Sequence, residues 1–316
     1  MQSSYTLSRR GFVASAGLAW AAAWMAPGAA LAGPPEDGPV ELSRKGSIVA
    51  KIGVRSVRDN LSVLEGSGGN IAVLHGRDGK LLVDSGMSRA NVRAALDDIG
   101  PPPVRYVVNT HWHYDHTDGN GWMHEAGATI VAHENTRRRM STATRVEAWD
   151  FTFPPSPPGA LPEVVFRGAA ALHFNGTAVA LEPYAPAHTD TDVRVAFPEL
   201  DVVHLGDTWW NGHYPFIDYS TGGSIGGMIR AAERNVDAVT DRTVVIPGHG
   251  PVGGRRELTE FRDLLRSVRD AVAALKKRGR SADEVVAAKP TAKYDAKWGG
   301  FFVGPEAFTR LVYAGL

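Results

Sequence analysis

Apolar runs that stop abruptly at metal-competent side chains constrain this chain more than any other feature. Residues 104–108 (Val-Arg-Tyr-Val-Val) lead into Asn109-Thr110 and then His111-Trp112-His113-Tyr114-Asp115-His116, four possible ligands in six residues. Three later segments share that shape. Pro186-Ala187-His188-Thr189-Asp190 precedes the strand-like residues 193–197, residues 202–205 run into Gly206-Asp207, and Val244-Val245-Ile246 runs into Pro247-Gly248-His249-Gly250. Short apolar runs bounded by glycine and proline read as buried strands that deliver a side chain at their ends.

Imidazole and carboxylate are the ligands that a borderline ion such as zinc accepts. In an extended segment alternate residues face the same way, so His111 and His113 can grip one ion while Trp112 faces elsewhere. If the chain then turns into a helix, Asp115 and His116 come round to a second ion. The spacing suits two metals.

The ordered set, His-x-His-x-Asp-His, a later His, an Asp after a strand and a final His in Pro-Gly-His-Gly, resembles the five-part signature of the metallo-β-lactamase superfamily. With Leu81-Leu82-Val83-Asp84-Ser85-Gly86 upstream, the match spans roughly residues 48–260. The resemblance implies an α/β fold, an αββα sandwich of two mixed β-sheets flanked by helices. It implies His111, His113 and His188 on one metal, Asp115, His116 and His249 on the second, and Asp207 bridging them. Asp84 takes the place of an acid that orients the ligand loop, with Asn109 and Thr110 helping to hold it. Two Zn2+ ions are the expected cofactors, with iron and manganese as alternatives.

Such a pair of ions can share a hydroxide and polarise a carbonyl or phosphoryl oxygen, so no serine or cysteine nucleophile is needed. Asp115 and Asp207 are the expected catalytic acids. The leading expectation is hydrolysis of an ester, lactone or other acyl substrate, because an Asp bridge resembles the glyoxalase II and lactonase branches. β-Lactamase activity is the alternative, weakened by the lack of any lysine between Lys80 and Lys276 to clamp a carboxylate. An iron-dependent sulfur or oxygen redox enzyme, and a metal-free binding or accessory protein, are the readings from other classes. Beyond Asp207, the aromatic stretch containing Trp209, Asn211, His213 and Tyr214 is a candidate substrate pocket, with Asn211, His213 or Tyr214 donating to an oxyanion. Trp112 and Tyr114 fit a pocket or a core equally. Asp190 and Asp192 read as turn caps, and His75, His124, His133, His173 and His204 as structural.

Ser8-Arg9-Arg10-Gly11-Phe12-Val13, an alanine-rich apolar run and Ala30-Leu31-Ala32 resemble a twin-arginine export signal, which implies cleavage near residue 32 and a periplasmic or secreted product. The twin-arginine export machinery would be a partner, and export of already folded protein suits a metal loaded beforehand. No cysteine occurs, which excludes disulfides and thiolate chemistry. Removing residues 1–32 takes away two arginines and no acid, leaving a net charge of minus two and no electrostatic footprint for nucleic acid. The partner that matters is a small-molecule substrate.

Residues 33–316 read as one hydrolase domain. Strands are expected at 48–54, 61–64, 71–74, 80–83, 104–108 and in a block over 172–205, with helices at 88–99, 225–236 and 257–277. A proline-rich insertion at about 149–162 breaks both helical and strand periods, and serves as a lid over the metals or as a stiffened surface loop. Arg137-Arg138-Arg139 read as a solvated helix face. The helical cover from about 254 ends in a tail, from Ser281, expected to pack on the second sheet.

Overall fold

The structure, a computed structural model, describes residues 37–316; the expected export leader lies outside them. After helix α1 (Pro39–Val49) come strands β1 (Gly53–Arg58), β2 (Leu61–Glu65), β3 (Ile71–Gly76) and β4 (Gly79–Val83), joined as an antiparallel meander. Helix α2 (Arg89–Ile99) then crosses to β5 (Val104–Val108), parallel to β4, and the short helices α3 (Tyr114–Thr117) and α4 (Asn120–Glu125) lead to β6 (Thr129–His133), parallel to β5. Helix α5 (Glu134–Met140) and a small hairpin, β7 (Thr144–Val146) with β8 (Phe151–Phe153), precede β9 (Val164–Phe166), which completes a seven-stranded sheet beside β6.

The second sheet has five strands in the order β10 (Ala170–Phe174), β11 (Thr177–Pro183), β12 (Val193–Phe197), β13 (Val202–His204) and β14 (Val244–Ile246). Its first four are antiparallel, while β14 returns parallel to β13 after helix α6 (Ile225–Asp237). Helices α7 (Arg255–Lys277), α8 (Ala282–Ala287), α9 (Asp295–Trp298) and α10 (Pro305–Ala314) finish the chain.

The period of two along each strand assigns the layers. Leu61, Val63, Ala72, Leu74, Leu81 and Val83 face inward and meet Val179, Leu181, Val193 and Val195 of the other sheet in one apolar cluster. The alternate residues Leu64, Ile71, Val73 and Leu82 face outward against Val92 and Leu96 of α2. Outside the second sheet, Val203 and Val245 meet Met228 and Ala232 of α6 and Leu258, Phe261 and Leu265 of α7. Two mixed sheets between outer helices therefore form the expected sandwich, and strands buried on both faces explain the near-continuous apolar runs.

Three expectations fail in detail. The strand expected at 48–54 begins only at Gly53: α1, started by Pro39 at its first turn, runs to Val49 and leaves Ile48 and Val49 69% and 77% exposed. The Asn91 side-chain amide donates to the carbonyls of Ser47, Ile48 and Ala50, satisfying the helix end. The proline-rich insertion is not irregular throughout, because Phe151–Phe153 pairs with Thr144–Val146, and Trp149 and Phe153 are buried. Finally, the tail packs on α7 through Phe308, Leu311 and Val312. Arg138 and Arg139 are also less free than expected, since both pair with Asp190. Among the described residues no helix is long and apolar enough to cross a membrane.

Candidate metal centre

The ligand-competent residues lie where strands of both sheets end. β5 delivers His111 and His113, and the chain turns at His113 into α3, which carries Asp115 and His116 back over the same point. Between β11 and β12, the His188 and Thr189 amides donate to Asp192, so this aspartate caps the turn and fixes His188. Asp207 and His249 each lie three residues beyond the last residue of a strand, His204 of β13 and Ile246 of β14. Thr110 O accepts from Val193 N at 2.8 Å, and Asn70 N donates to Gly248 O at 2.8 Å, so the two sheets are tied together at the centre.

Two groups of ligand atoms result, His111 with His113, His188 and Asp207, and Asp115 with His116 and His249; within each group the atoms lie within 4.8 Å of one another. The Asp207 carboxylate sits between the groups. Oδ2 is 3.5 Å from His188 Nε2, 3.8 Å from His111 Nε2 and 3.3 Å from His249 Nε2, while Oδ1 is 3.2 Å from His116 Nε2. Asp115 Oδ2 lies 3.2 Å from His249 Nε2 and 3.4 Å from His116 Nε2.

The outer hydrogen bonds decide which way the imidazoles present their lone pairs. His116 Nδ1 donates to Asp84 Oδ2 at 2.8 Å. Thr110 Oγ1 spends its proton on the same carboxylate at 2.8 Å and accepts from His111 Nδ1 at 3.0 Å. His113 Nε2 donates to Asp218 Oδ2 at 3.1 Å, and His188 Nδ1 donates to the Phe216 carbonyl at 2.9 Å. Four inner nitrogens are then left as acceptors. His113 Nδ1 and His188 Nε2 face each other at 2.9 Å, and His111 Nε2, His116 Nε2 and Asp207 Oδ1 are buried without a hydrogen-bond partner. Acceptors packed against acceptors in a dry site repel unless a cation lies among them, a proton in the empty site or a metal ion in its place, so the donor set fits metal.

The charges tell the same story. Burial alone would lower His116 and His249, but Asp115 and Asp207 outweigh it, holding His116 well above the ordinary range and His249 at about 9. Burial would raise Asp115 and Asp207, yet the surrounding imidazoles hold both well below the usual carboxylate range. Burial, with the His116 charge next, pushes His111 well down, and burial also lowers His188. A site without metal thus carries protons where metal would carry charge.

Asp84 holds an uncommon left-handed conformation (φ 68°), which aims its carboxylate at three donors, the Thr110 amide at 2.7 Å besides the two above. Asn109 and Asn120 exchange side-chain amide bonds beneath the loop. Close packing reaches the backbone: a Cβ on Gly69 would overlap the His116 ring, and one on Gly248 would overlap Asp207 Oδ1.

Residues 64–249 match the metallo-beta-lactamase superfamily, a span that carries both ligand groups. The chain belongs to this superfamily. Its fold is shared with solved structures at low identity. The stereoselective inverting sec-alkylsulfatase Pisa1 from Pseudomonas sp. superposes with a TM-score of 0.61 at 17% identity over 83% of this chain and 50% of that one. This superfamily member therefore spans about half the length of the alkylsulfatase. A metallo-beta-lactamase from Pontibacter korlensis gives 0.55 at 19% identity, over 68% of this chain and 99% of its own, and DIM-1 metallo-beta-lactamase gives 0.53 at 18%, over 68% and 97%.

A cavity of about 330 Å³ opens over the ligands. Of the four residues expected to form a pocket, His213 lines it; Trp209, Asn211 and Tyr214 do not. Trp209 is extended, so Trp209 and Trp210 point opposite ways: Trp209 enters the core, and Trp210 lies in the wall, its ring 4.3 Å from that of His249. Asn211 is already committed, donating to Pro251 O at 2.7 Å. Tyr214 stacks on Phe308 and donates to Asp295 Oδ1 at 2.8 Å. Trp112 is core, its Nε1 donating to Thr221 Oγ1, while Tyr114 is in the wall. His204 is structural, bonded to Asn70 O and the Gly206 amide.

Phe216, from the aromatic stretch after Asp207, and Trp149, from the start of the proline-rich insertion, both line the cavity; sequence reasoning missed Asp218, Phe301, Phe302 and the α1 residues Gly46 and Ser47. Asp218 carried one available signal, an acid between the aromatics of Phe216-Ile217-Asp218-Tyr219.

Proposed function

We propose that this superfamily member is a dinuclear metal-dependent hydrolase of an ester, lactone or other acyl substrate. The observation that carries the reading is the convergence of four imidazole lone pairs on a buried carboxylate. His111, His113 and His188 would hold one ion, Asp115, His116 and His249 the other, and Asp207 would serve both. Zinc suits this nitrogen and oxygen donor set, and iron and manganese accept the same ligands. Ions bound there supply Lewis acidity, which lowers the pKa of water and polarises the oxygen under attack.

The chain's own groups have assignable work. Asp115 is the more exposed of the two acids (14% against 3% for Asp207) and stays ionised, so it can accept a hydrogen bond from the attacking water and orient it. His213, in the wall, is pushed down by burial and by His249 to about 4 and is neutral at pH 7. Its ring lines the cavity, which suits it to contact the substrate. Export to the periplasm or beyond rests on the twin-arginine-like leader and is checked by fractionating cells that carry the intact chain or an Arg9→Lys, Arg10→Lys variant.

The test is a panel of esters, lactones, thioesters, phosphoesters, β-lactams and a secondary alkyl sulfate against metal-loaded protein. Turnover of an acyl substrate that Asp207→Ala abolishes, with the core still folded, supports the proposal. Full activity in that variant, or a blank panel at full metal loading, contradicts it.

A further inference from the structure

Building on the hydrolase reading, we propose that the substrate is an uncharged acyl compound with an apolar body, and that the cavity discriminates against any substrate bearing a negative charge away from the reacting group. The wall comes from segments remote in sequence. Trp149 stands next to the β7–β8 hairpin, Trp210 and Phe216 follow Asp207, Phe301 and Phe302 come from the tail, and Gly46 from α1. Trp149 stacks on Phe216 with ring centroids 4.7 Å apart, and Phe301 stacks on His213 at 4.4 Å. Such a surface rewards an apolar body by burial and by ring contacts.

The charges point the same way. With Asp115 and Asp207 assigned to the ions, the carboxyl side chain left in the wall is Glu65, and no lysine or arginine lines the cavity among the described residues. Arg44 lies behind the wall: its guanidinium sits over the Tyr114 ring at 5.3 Å and is held by both Asp118 oxygens, at 2.7 and 3.0 Å. Lys51, exposed and next in the chain to Ala50, is outside the lining. Glu65 Oε1 is buried without a hydrogen-bond partner. Held in the wall away from the metal positions, a remote carboxylate would lose its hydration, find no lysine or arginine beside it and meet Glu65 instead. The ring carboxylate of a β-lactam or the two carboxylates of a glutathione thioester would suffer this penalty.

The 4-nitrophenyl monoester of adipic acid and its methyl ester differ at the remote end by one methyl group that removes the charge, and comparing their kcat/KM at pH 7.5 on metal-loaded protein tests the proposal. The methyl ester should be favoured by at least about tenfold. Gly46→Lys supplies the missing cation, because a Cβ at Gly46 meets nothing within 4 Å and lysine suits a helix better than glycine. This variant should shrink the preference by at least about threefold, and Glu65→Gln should shrink it as well. Equal rates on the two esters, or a preference that neither variant moves, overturns the proposal while leaving hydrolysis standing. Hydrolysis of neither ester by protein with both metal positions filled overturns the proposal, and the hydrolase reading falls with it only where the wider substrate panel is blank as well.

Discussion

Replacing Asp218 by Asn should weaken one metal position and spare the other. Asp218 Oδ2 accepts His113 Nε2–H at 3.1 Å and the Thr221 hydroxyl at 2.6 Å, and Oδ1 accepts the Ser220 amide at 3.0 Å. An amide has one acceptor oxygen, so in either orientation an N–H donor, that of His113 or of Ser220, faces its NH2 group. The charge that holds the His113 proton on Nε2, and thereby leaves the Nδ1 lone pair facing His188, is lost as well. A charge-assisted hydrogen bond contributes about 1.5–3 kcal/mol, and loss of such an outer partner typically lowers metal affinity about 10–100-fold. The prediction is a drop of that size for the ion held by His111, His113 and His188, with the ion held by Asp115, His116 and His249 within about threefold of wild type. Zinc titration against a chromogenic chelator resolves the two steps. Asp84→Asn is the contrast, because Asp84 serves His116 directly and His111 through Thr110, and this variant should weaken both. Equal weakening of both steps by Asp218→Asn, or no change in either, would refute the assignment of His113 to one ion.

Three further outcomes follow from the geometry. Gly69→Ala should displace the His116 ring and cost one of the two ions, read as a lower metal content in an otherwise folded protein by circular dichroism; full loading would contradict the packing. Zinc binding at pH 7.5 in weak buffer should release at least one proton per chain, because His249, held at about 9, is protonated in the metal-free site; binding without proton release would contradict this. His249 is raised above the roughly 6.5 of an unfolded imidazole, so its contribution to metal-free stability is complete below pH 6.5 and lost as pH rises through about 9. The melting temperature of metal-free protein should therefore fall from pH 6.5 to 9.5, and a rise across that window would count against the charged-site description.

The candidate ligands were legible because most follow shortly after a strand with a local mark: His-x-His before a helix, a glycine beside Asp207, Pro-Gly before His249. Long apolar strands and the amphipathic helices α6 and α7 were legible for the same reason, since their period is written in neighbouring residues. The cavity wall was not. Phe301 and Phe302 come from a tail more than fifty residues past His249, and Gly46 from a helix before the first strand, so only tertiary packing unites them. Ile48 and Val49 misled because β-branched residues favour strands, whereas the helix there is set by Pro39 and by Asn91 at its far end. Trp209 and Trp210 show how one residue of register exchanges a core side chain for a wall side chain.

Elemental analysis of the mature, natively produced protein, reporting ion identity and metal-to-chain ratio together, tests the central claim most directly. The account predicts close to two zinc ions per chain. A natively produced protein that carries no metal, and takes none up on titration with zinc, would contradict it.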